Sequence, residues 1–341
     1  MKIKLSLLAL IFFTHTVAQT AIPWKVIELM SHSRIDAMAD LGHGVVLVGT
    51  RNTTPARIFK SMDYGFTWKQ VSTLESAEKR SGITCIQSAG DGYCYALNES
   101  SEFFKSVDNG ETWQRITKLS SGINTEGHAL AYGICITKQG TILVSDANSS
   151  GGSIYRSTDR GLTFSKLKSF TSKGLYRFTI LKSFIIVNGW EGCVFRSKDD
   201  GLTWGRLAEA DKSPLYATES LGGNRYLQGT EAGNIYVGNG HSKTIKFLAK
   251  PGGAADDFVY VGNGTIIYST YTDSQHVFSS QNMGKSWIDE RIVPTGQSKD
   301  WLDHVIRIEK KDSVVILGGT NKGFILRTMY ALKDLRHNSL K

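Results

Sequence analysis

The pattern with the most chemical content in this chain is Ser61-Met62-Asp63-Tyr64-Gly65-Phe66-Thr67-Trp68, a carboxylate set between two hydroxyls. It recurs at 106–113, 157–164 and 197–204, and a worn copy at 280–287 carries Asn282 in place of the acid. So many matched carboxylates invite a catalytic or metal-binding reading, but turn chemistry accounts for them better. An Asp accepts hydrogen bonds from backbone N–H groups just ahead of it. The glycine supplies a residue that tolerates positive φ, and Ser and Thr hydroxyls add side-chain-to-backbone bonds. The closing Trp or Phe is large and apolar, suited to filling a gap between packed layers. Copies spread along the whole chain cannot converge on one centre. Asp63, Asp108, Asp159, Asp199 and Asn282 are therefore read as structural, with no metal site among them.

The spacing of these boxes identifies the elements that carry them. Ser61, Ser106, Ser157 and Ser197 follow at similar intervals, and the step to Ser280 is about twice as long. The missing unit lies between, where Gly233-Asn234-Ile235-Tyr236-Val237-Gly238 matches the lead-in Ile154-Tyr155-Arg156-Ser157 with Gly238 in the serine's place. A seventh lead-in runs over 323–328. Repeats of roughly 40 to 50 residues are the range of propeller blades. Each unit reads as four short strands; in the second they are expected at 83–86, 93–97, 103–106 and 112–116, as β-branched and aromatic runs bounded by turn residues. The seventh unit stops without a Trp-bearing fourth strand, while Trp24-Lys25-Val26 near the other end matches Trp68-Lys69-Gln70-Val71. The expectation is an all-β fold: a single seven-bladed β-propeller of four-stranded blades over 20–330, its ring closed by the N-terminal strand around Trp24, with a polar tail at 331–341.

Residues 1–19 have the layout of a signal peptide: Lys2 and Lys4, an apolar run over 5–13, and cleavage near Thr16-Val17-Ala18 or after Gln19. That run is shorter than the ~20 residues a spanning helix needs, and no later stretch approaches that length. An exported protein without a transmembrane segment is expected, periplasmic or extracellular, and a monomer. The formal charge is +9, but the basic residues are dispersed, which excludes a nucleic-acid footprint. No cofactor motif appears: no Gly-x-Gly-x-x-Gly opens a helix after a strand. Cys85 and Cys94 flank a Gly turn on neighbouring strands and are the best-placed pair for a disulfide; the alternative makes all four cysteines small buried hydrophobes.

If the boxes join third and fourth strands, the opposite rim is built from second-to-third loops and blade connections, and binding residues favour loops on a rigid scaffold. The candidates there are Arg51, Glu99, Asp146, Trp190, Glu191, Glu231, Tyr271, Asp273 and Lys322. The loops add Asn52, Asn98, Glu102, Asn148 and Asn321; the connections add Arg34, Glu126, His128, Tyr176, Arg177, Asp256, Asp257, Trp301, Asp303 and His304. Trp190, between Gly189 and Gly192, is either an exposed platform or packed on the neighbouring blade.

Ser-x-Asp-x-Gly-x-Thr-Trp resembles the Asp-box, or BNR, repeat of sialidases, xyloglucanases, sortilin-type receptors and the photosystem II stability/assembly factor family. The resemblance covers nearly the whole chain after the leader. A Gly-x-x-Gly hairpin before an apolar strand, at 189–197, 229–236 and 319–328, looks most like the assembly-factor group, whose members resemble seven-bladed scaffolding propellers. The resemblance implies a non-enzymatic binding or assembly propeller engaging a protein or glycan through the rim opposite the boxes. The alternative is a glycoside hydrolase, which needs paired carboxylates on that rim. A sialidase-like enzyme would need an arginine cluster and a Tyr nucleophile beside an acid. Arg34-Ile35-Asp36 only half resembles the Arg-Ile-Pro signature of that group, whose propellers have six blades, and xyloglucanases of this type use two tandem propellers. Three arginines around a Tyr–Glu pair would favour the sialidase; a broad polar and aromatic surface would favour binding.

Overall fold

A computed structural model describes residues 23–76, 81–120, 131–147, 151–167, 174–271, 277–290 and 301–332. The strands form seven four-stranded antiparallel sheets. In the first blade they are Arg34–Gly42, Val45–Arg51, Ala56–Ser61 and Lys69–Leu74, running from the channel wall outward. The innermost strands pack side by side around the ring, so that Arg34–Gly42 lies between Ile83–Gly90 of the second blade and Leu302–Lys310 of the seventh. The seventh blade has only three strands of its own, and Lys25–Glu28 supplies the fourth. It pairs antiparallel with Phe324–Ala331, Lys25 opposite Arg327 and Glu28 opposite Phe324. The N–H groups of Leu29 and Met30 then both reach the Gly323 carbonyl, at 2.9 and 3.0 Å. The closing strand of the sequence reading is thus where Trp24 marks it. The last strand runs on to Ala331, through the expected start of the tail, and residues 333–341 lie outside the described residues, as do residues 1–22 with the expected signal peptide.

Burial explains the box aromatic. The core is divided into clusters, one at each interface between neighbouring blades, and every box aromatic sits in the interface between its own blade and the preceding one. Trp113 packs with Leu47 and Ile58 of blade one, Phe164 with Leu97 and Phe103 of blade two, and Trp204 with Leu143 and Cys135 of blade three. Trp68 closes the gap between blades seven and one, and Trp24 the gap between six and seven. In the boxless fifth blade Ile245, directly before Lys246–Ala249, takes the Trp position. Gly238 stands for the serine there because the buried Tyr226 ring fills the space: a Cβ on Gly238 would lie 2.3 Å from Tyr226 Cζ.

The turn itself is closed by its own side chains. Asp63 Oδ1 accepts the Thr67 N–H at 2.8 Å and Oδ2 the Thr67 hydroxyl at 2.6 Å, while Ser61 Oγ accepts the Gly65 N–H at 2.9 Å. The pattern repeats at Asp108, Asp159 and Asp199, and Asn282 keeps it with a 2.9 Å bond from the Ser286 N–H. Two successive residues are left-handed, not the glycine alone: Tyr64 at φ 61° and Gly65 at 78°. Burial slightly opposes ionisation of Asp63, but the bonds from Thr67 outweigh it and hold the carboxyl below its ordinary range. All of the acid's capacity is spent inside its turn.

None of the four cysteines is in a disulfide. Cys94 pairs with Ser88 across the hairpin rather than with Cys85, and it packs into the interface of blades one and two while Cys85 packs into that of blades two and three. The two thiols point to opposite faces of one sheet, which rules out the disulfide and leaves the buried-hydrophobe reading.

Candidate functional site at the channel mouth

The seven innermost strands begin at the rim opposite the boxes, and all seven depart from regular register within their first residues. The shifts fall between Arg34 and Ala37, Ile83 and Cys85, Ala131 and Ile134, and Leu175 and Phe178. They recur between Leu215 and Ala217, Ala255 and Asp257, and Leu302 and His304. A bulge places an extra residue outside the ladder and re-aims its side chain. The residues inside these bulges include Asp36, Thr84, Tyr132, Tyr176, Arg177, Tyr216, Asp256 and Asp303. Repetition of one local irregularity thus gathers acids, arginines and tyrosines at the mouth of the central channel, which holds a cavity of about 400 Å³.

One side of this mouth is ionic. Arg34 contacts Asp303 at 2.8 Å and Asp36 at 3.3 Å. Arg51 bridges Asp36 and Glu99, both at 2.8 Å. Asp257 takes Arg177 at 3.0 Å and His304 Nδ1 at 2.5 Å. Burial works against the charge on Asp257, but Arg177 and His304 outweigh it and keep its carboxyl below the usual range. Asp303 goes the other way: burial leads and Asp36 adds repulsion, so despite Arg34 it is pushed up to about 7. Asp256 is raised well above the ordinary value, by burial first and then by Asp303.

The other side is aromatic. Tyr132 meets Tyr176 with ring centroids 5.2 Å apart, Tyr176 meets Tyr216 at 5.0 Å, and Tyr216 meets Tyr271 at 5.8 Å. Trp190 stacks on Tyr176 at 6.3 Å and 21°. Tyr271 donates its hydroxyl to Glu231 at 3.1 Å. Burial, then Tyr216 and Glu231, raise the Tyr271 phenol far above its ordinary value, and burial pushes Tyr216 up to about 12. These phenols are neutral donors at any physiological pH.

The residues expected on the rim are divided by the structure. Arg51 and Glu99 join the ionic side, the former as a buried strand-end residue rather than a loop one. Trp190, Glu231 and Tyr271 join the aromatic side; Trp190 is half-buried, its ring stacked on Tyr176 of its own blade's inner strand, and its turn, Trp190–Gly192, lies against Leu215–Ser220 of the next blade. Asp146 ends the strand Ile142–Asp146, fully buried, with Lys166 of its own outer strand 3.8 Å away. Glu191 is exposed in a left-handed turn residue at φ 58°, and Lys322 is half-buried in the turn after Thr320. Asp273, like Glu126, His128 and Asn148, lies outside the described residues. Arg34, Tyr176, Arg177, Asp256, Asp257, Asp303 and His304, expected in connections, begin inner strands. Asp36, Tyr132 and Tyr216 escaped the candidate list; their signal was the position just after each inner strand's first apolar residue.

Among the described residues no group of three His, Cys, Asp or Glu side chains is placed to hold a metal ion, and no helix is long and apolar enough to cross a membrane. On the box rim, Met62 and Phe66 of the first turn and Val107, Leu162 and Leu202 of the next three are exposed, which is ordinary for a protein surface.

No family model and no curated protein matches the chain. Among solved structures it is similar to YCF48 bound to D1 peptide, at 17% identity and TM-score 0.70, covering 91% of this chain and 98% of that one. YCF48 from Cyanidioschyzon merolae follows at 14% identity and TM-score 0.65, again covering 91% and 98%. A catalytically inactive virginiamycin B lyase from Staphylococcus aureus with quinupristin gives 11% identity and TM-score 0.71, covering 90% and 99%. At these identities the likeness is one of fold, and the fold is the seven-bladed β-propeller.

Proposed function

We propose that this chain is an exported binding propeller of the Asp-box type that holds a segment of a partner protein at the channel mouth opposite the boxes. The observation that carries this reading is the two-sided mouth: an aromatic arc from Tyr132 to Tyr271 facing an ion-pair network from Arg51 to Asp257. Aromatic anchors beside desolvated charge are the usual composition of an interface centre. A solved propeller of the same fold, YCF48, is described with a D1 peptide, and the box and hairpin resemblance to the photosystem II stability/assembly factor group leans the same way. The leader at 1–19 supports export to the periplasm or cell exterior, and the dispersed basic residues give no reason to invoke nucleic acid. The aromatic arc would also stack on sugar rings, so a glycan is the second class of ligand.

A hydrolytic reading has one observation in its favour: Arg34, Arg51 and Arg177 share the mouth with the Tyr271–Glu231 pair. Two observations weigh against it. Each of those guanidiniums already faces a carboxylate, leaving none dedicated to a substrate's acid group. The Tyr271 phenol is pushed up, where a nucleophile needs to be pushed down. The test pairs a peptide array and a glycan array, probed with the chain from residue 20 onward, with an assay for oligosaccharide turnover. Specific capture on the peptide array, weakened about tenfold or more by Tyr176→Ala with Trp190→Ala and unchanged by Asp108→Ala, is expected. Robust turnover, or capture unaffected at the mouth and lost with the box, would overturn it.

A further inference from the structure

The mouth carries more carboxylates than cations. Arg51 is shared by Asp36 and Glu99, Arg34 by Asp36 and Asp303, and Arg177 and His304 both serve Asp257. Among the described residues Asp256 has no ion pair. Among the acids lining the mouth cavity, three carboxylate oxygens are buried without a hydrogen-bond partner: Asp36 Oδ1, Asp256 Oδ2 and Asp303 Oδ2. Asp303 is 1% exposed, and its other oxygen is held in place by the Trp301 indole N–H at 2.8 Å and Arg34 at 2.8 Å. All three acids line the cavity of about 400 Å³, which lies within the range of small-ligand sites, as does Tyr132, whose ring abuts Tyr176. A buried carboxylate oxygen left without a donor is costly, and a bound cation is the group that removes the cost. No metal-binding group of side chains is present among the described residues, and an aromatic wall beside acids suits an organic cation.

Resting on the peptide-binding reading, we infer that the mouth selects a basic group of the bound segment, a Lys or Arg side chain or an N-terminal ammonium. Its N–H donors meet the unpartnered oxygens of Asp303, Asp256 and Asp36, and its aliphatic stem lies along Tyr132. Without a ligand the excess charge is neutralised by protons, in keeping with the raised Asp303 and Asp256 carboxyls. The groups facing Asp303 are Arg34, Asp36 and Asp256 from the neighbouring inner strands, with His304 beside it in sequence. Binding of a cation therefore displaces protons, and affinity rises between pH 6 and pH 8.

The test uses four blocked tripeptides, acetyl-Gly-Xaa-Gly-amide with Xaa as Lys, Arg, norleucine or Glu, titrated calorimetrically into the chain from residue 20 onward. At pH 8 the Lys or Arg probe is expected to bind at least about tenfold more tightly than norleucine, with proton release visible as a buffer-dependent heat. Asp303→Asn should abolish the preference; Asp256→Asn repeats the test where thermal unfolding shows that the first variant is misfolded. Equal affinity for Lys and norleucine, or peptide-array hits with no basic preference, overturns the inference while leaving peptide binding intact. No binding by any probe together with a blank peptide array overturns both readings.

Discussion

Glu219 shows how single residues in this channel set the pH behaviour of the fold. It lies on the inner strand Leu215–Ser220 and lines the channel, and its carboxylate accepts the Tyr260 N–H at 3.0 Å. Burial above all, then Asp257, pushes it up to about 7, against the pull of that N–H and of Arg307. Its folded value thus exceeds the unfolded one, so the folded state keeps a proton that the unfolded chain has released. The stabilisation is complete below about pH 4.3, the unfolded value, and is lost as pH rises toward 7, on the order of 3–4 kcal/mol in all. Glu219→Gln keeps the acceptor and removes the titration, so denaturant unfolding at pH 4.5 and pH 7.5 should differ less in the variant than in the parent. A parallel pH slope in both would show that Glu219 is already ionised in the native state. The cysteines give a second residue-scale prediction. Burial raises Cys94 to about 11 and Cys135 to about 12, far from the thiolate range needed for reaction. Alkylation at pH 8 should modify these two only in denaturant, where all four thiols titrate. Rapid native labelling of Cys94 would contradict the packing described for blades one and two.

At the scale of the element, the box and the inner-strand bulge are two repeated devices, and only one of them was readable. The box is local: Ser106, Asp108, Gly110 and Thr112 bond to one another within a single turn, so residue types at fixed spacing reveal it without knowledge of the fold. Counting boxes therefore counted blades, located the worn unit at Gly238, and identified Trp24 as the closing strand's marker. The bulge is relational, since it exists only as a slip against the second strand, and nothing in the types of Asp36, Tyr132 or Tyr216 announces it. That is why the sequence reading spread its candidates around the loops of that rim, whereas the structure gathers acids, arginines and tyrosines on the channel side of the first strands. The locality of the box predicts separable effects. Gly110 has φ +81°, and a Cβ there would lie 2.4 Å from Leu47 Cδ1 in the preceding blade. Gly110→Ala should cost about 2 kcal/mol through this overpacking and the left-handed backbone. Asp108→Ala should cost about 1–2 kcal/mol by leaving the Thr112 N–H and hydroxyl unmade. Chemical denaturation measures both, and neither should alter peptide capture at the far mouth. Loss of capture in a folded Asp108→Ala protein would assign the box a role in binding.

For the whole molecule the decisive feature is how the ring is closed. Pairing of Lys25–Glu28 with the start of Phe324–Ala331 covers what would otherwise be a bared outer edge on the seventh blade, and it joins the two ends of the described chain. The short ladder is reinforced by Trp24 in the core between blades six and seven and by the two N–H bonds to the Gly323 carbonyl. Every other blade is continuous in sequence, so this one carries the entropic cost of bringing distant segments together. The same junction bears on the site, because the blade it completes supplies Asp303 and His304, and the adjoining blade supplies Arg34 and Asp36. A chain beginning at residue 29 should therefore unfold roughly 5 °C or more below one beginning at residue 20. It should also self-associate through the bared edge of Phe324–Ala331, seen as a concentration-dependent shift in sedimentation. A circular permutant that links residue 332 to residue 23 and opens the chain after Leu74 keeps every strand but makes the closing pair local in sequence. It should stay monomeric and match the parent in stability and in peptide capture. If the permutant loses capture while its melting point is unchanged, the mouth depends on where the chain is cut rather than on closure of the ring; if the truncated chain melts with the parent, the N-terminal strand is an ornament on a ring held by its inner strands alone.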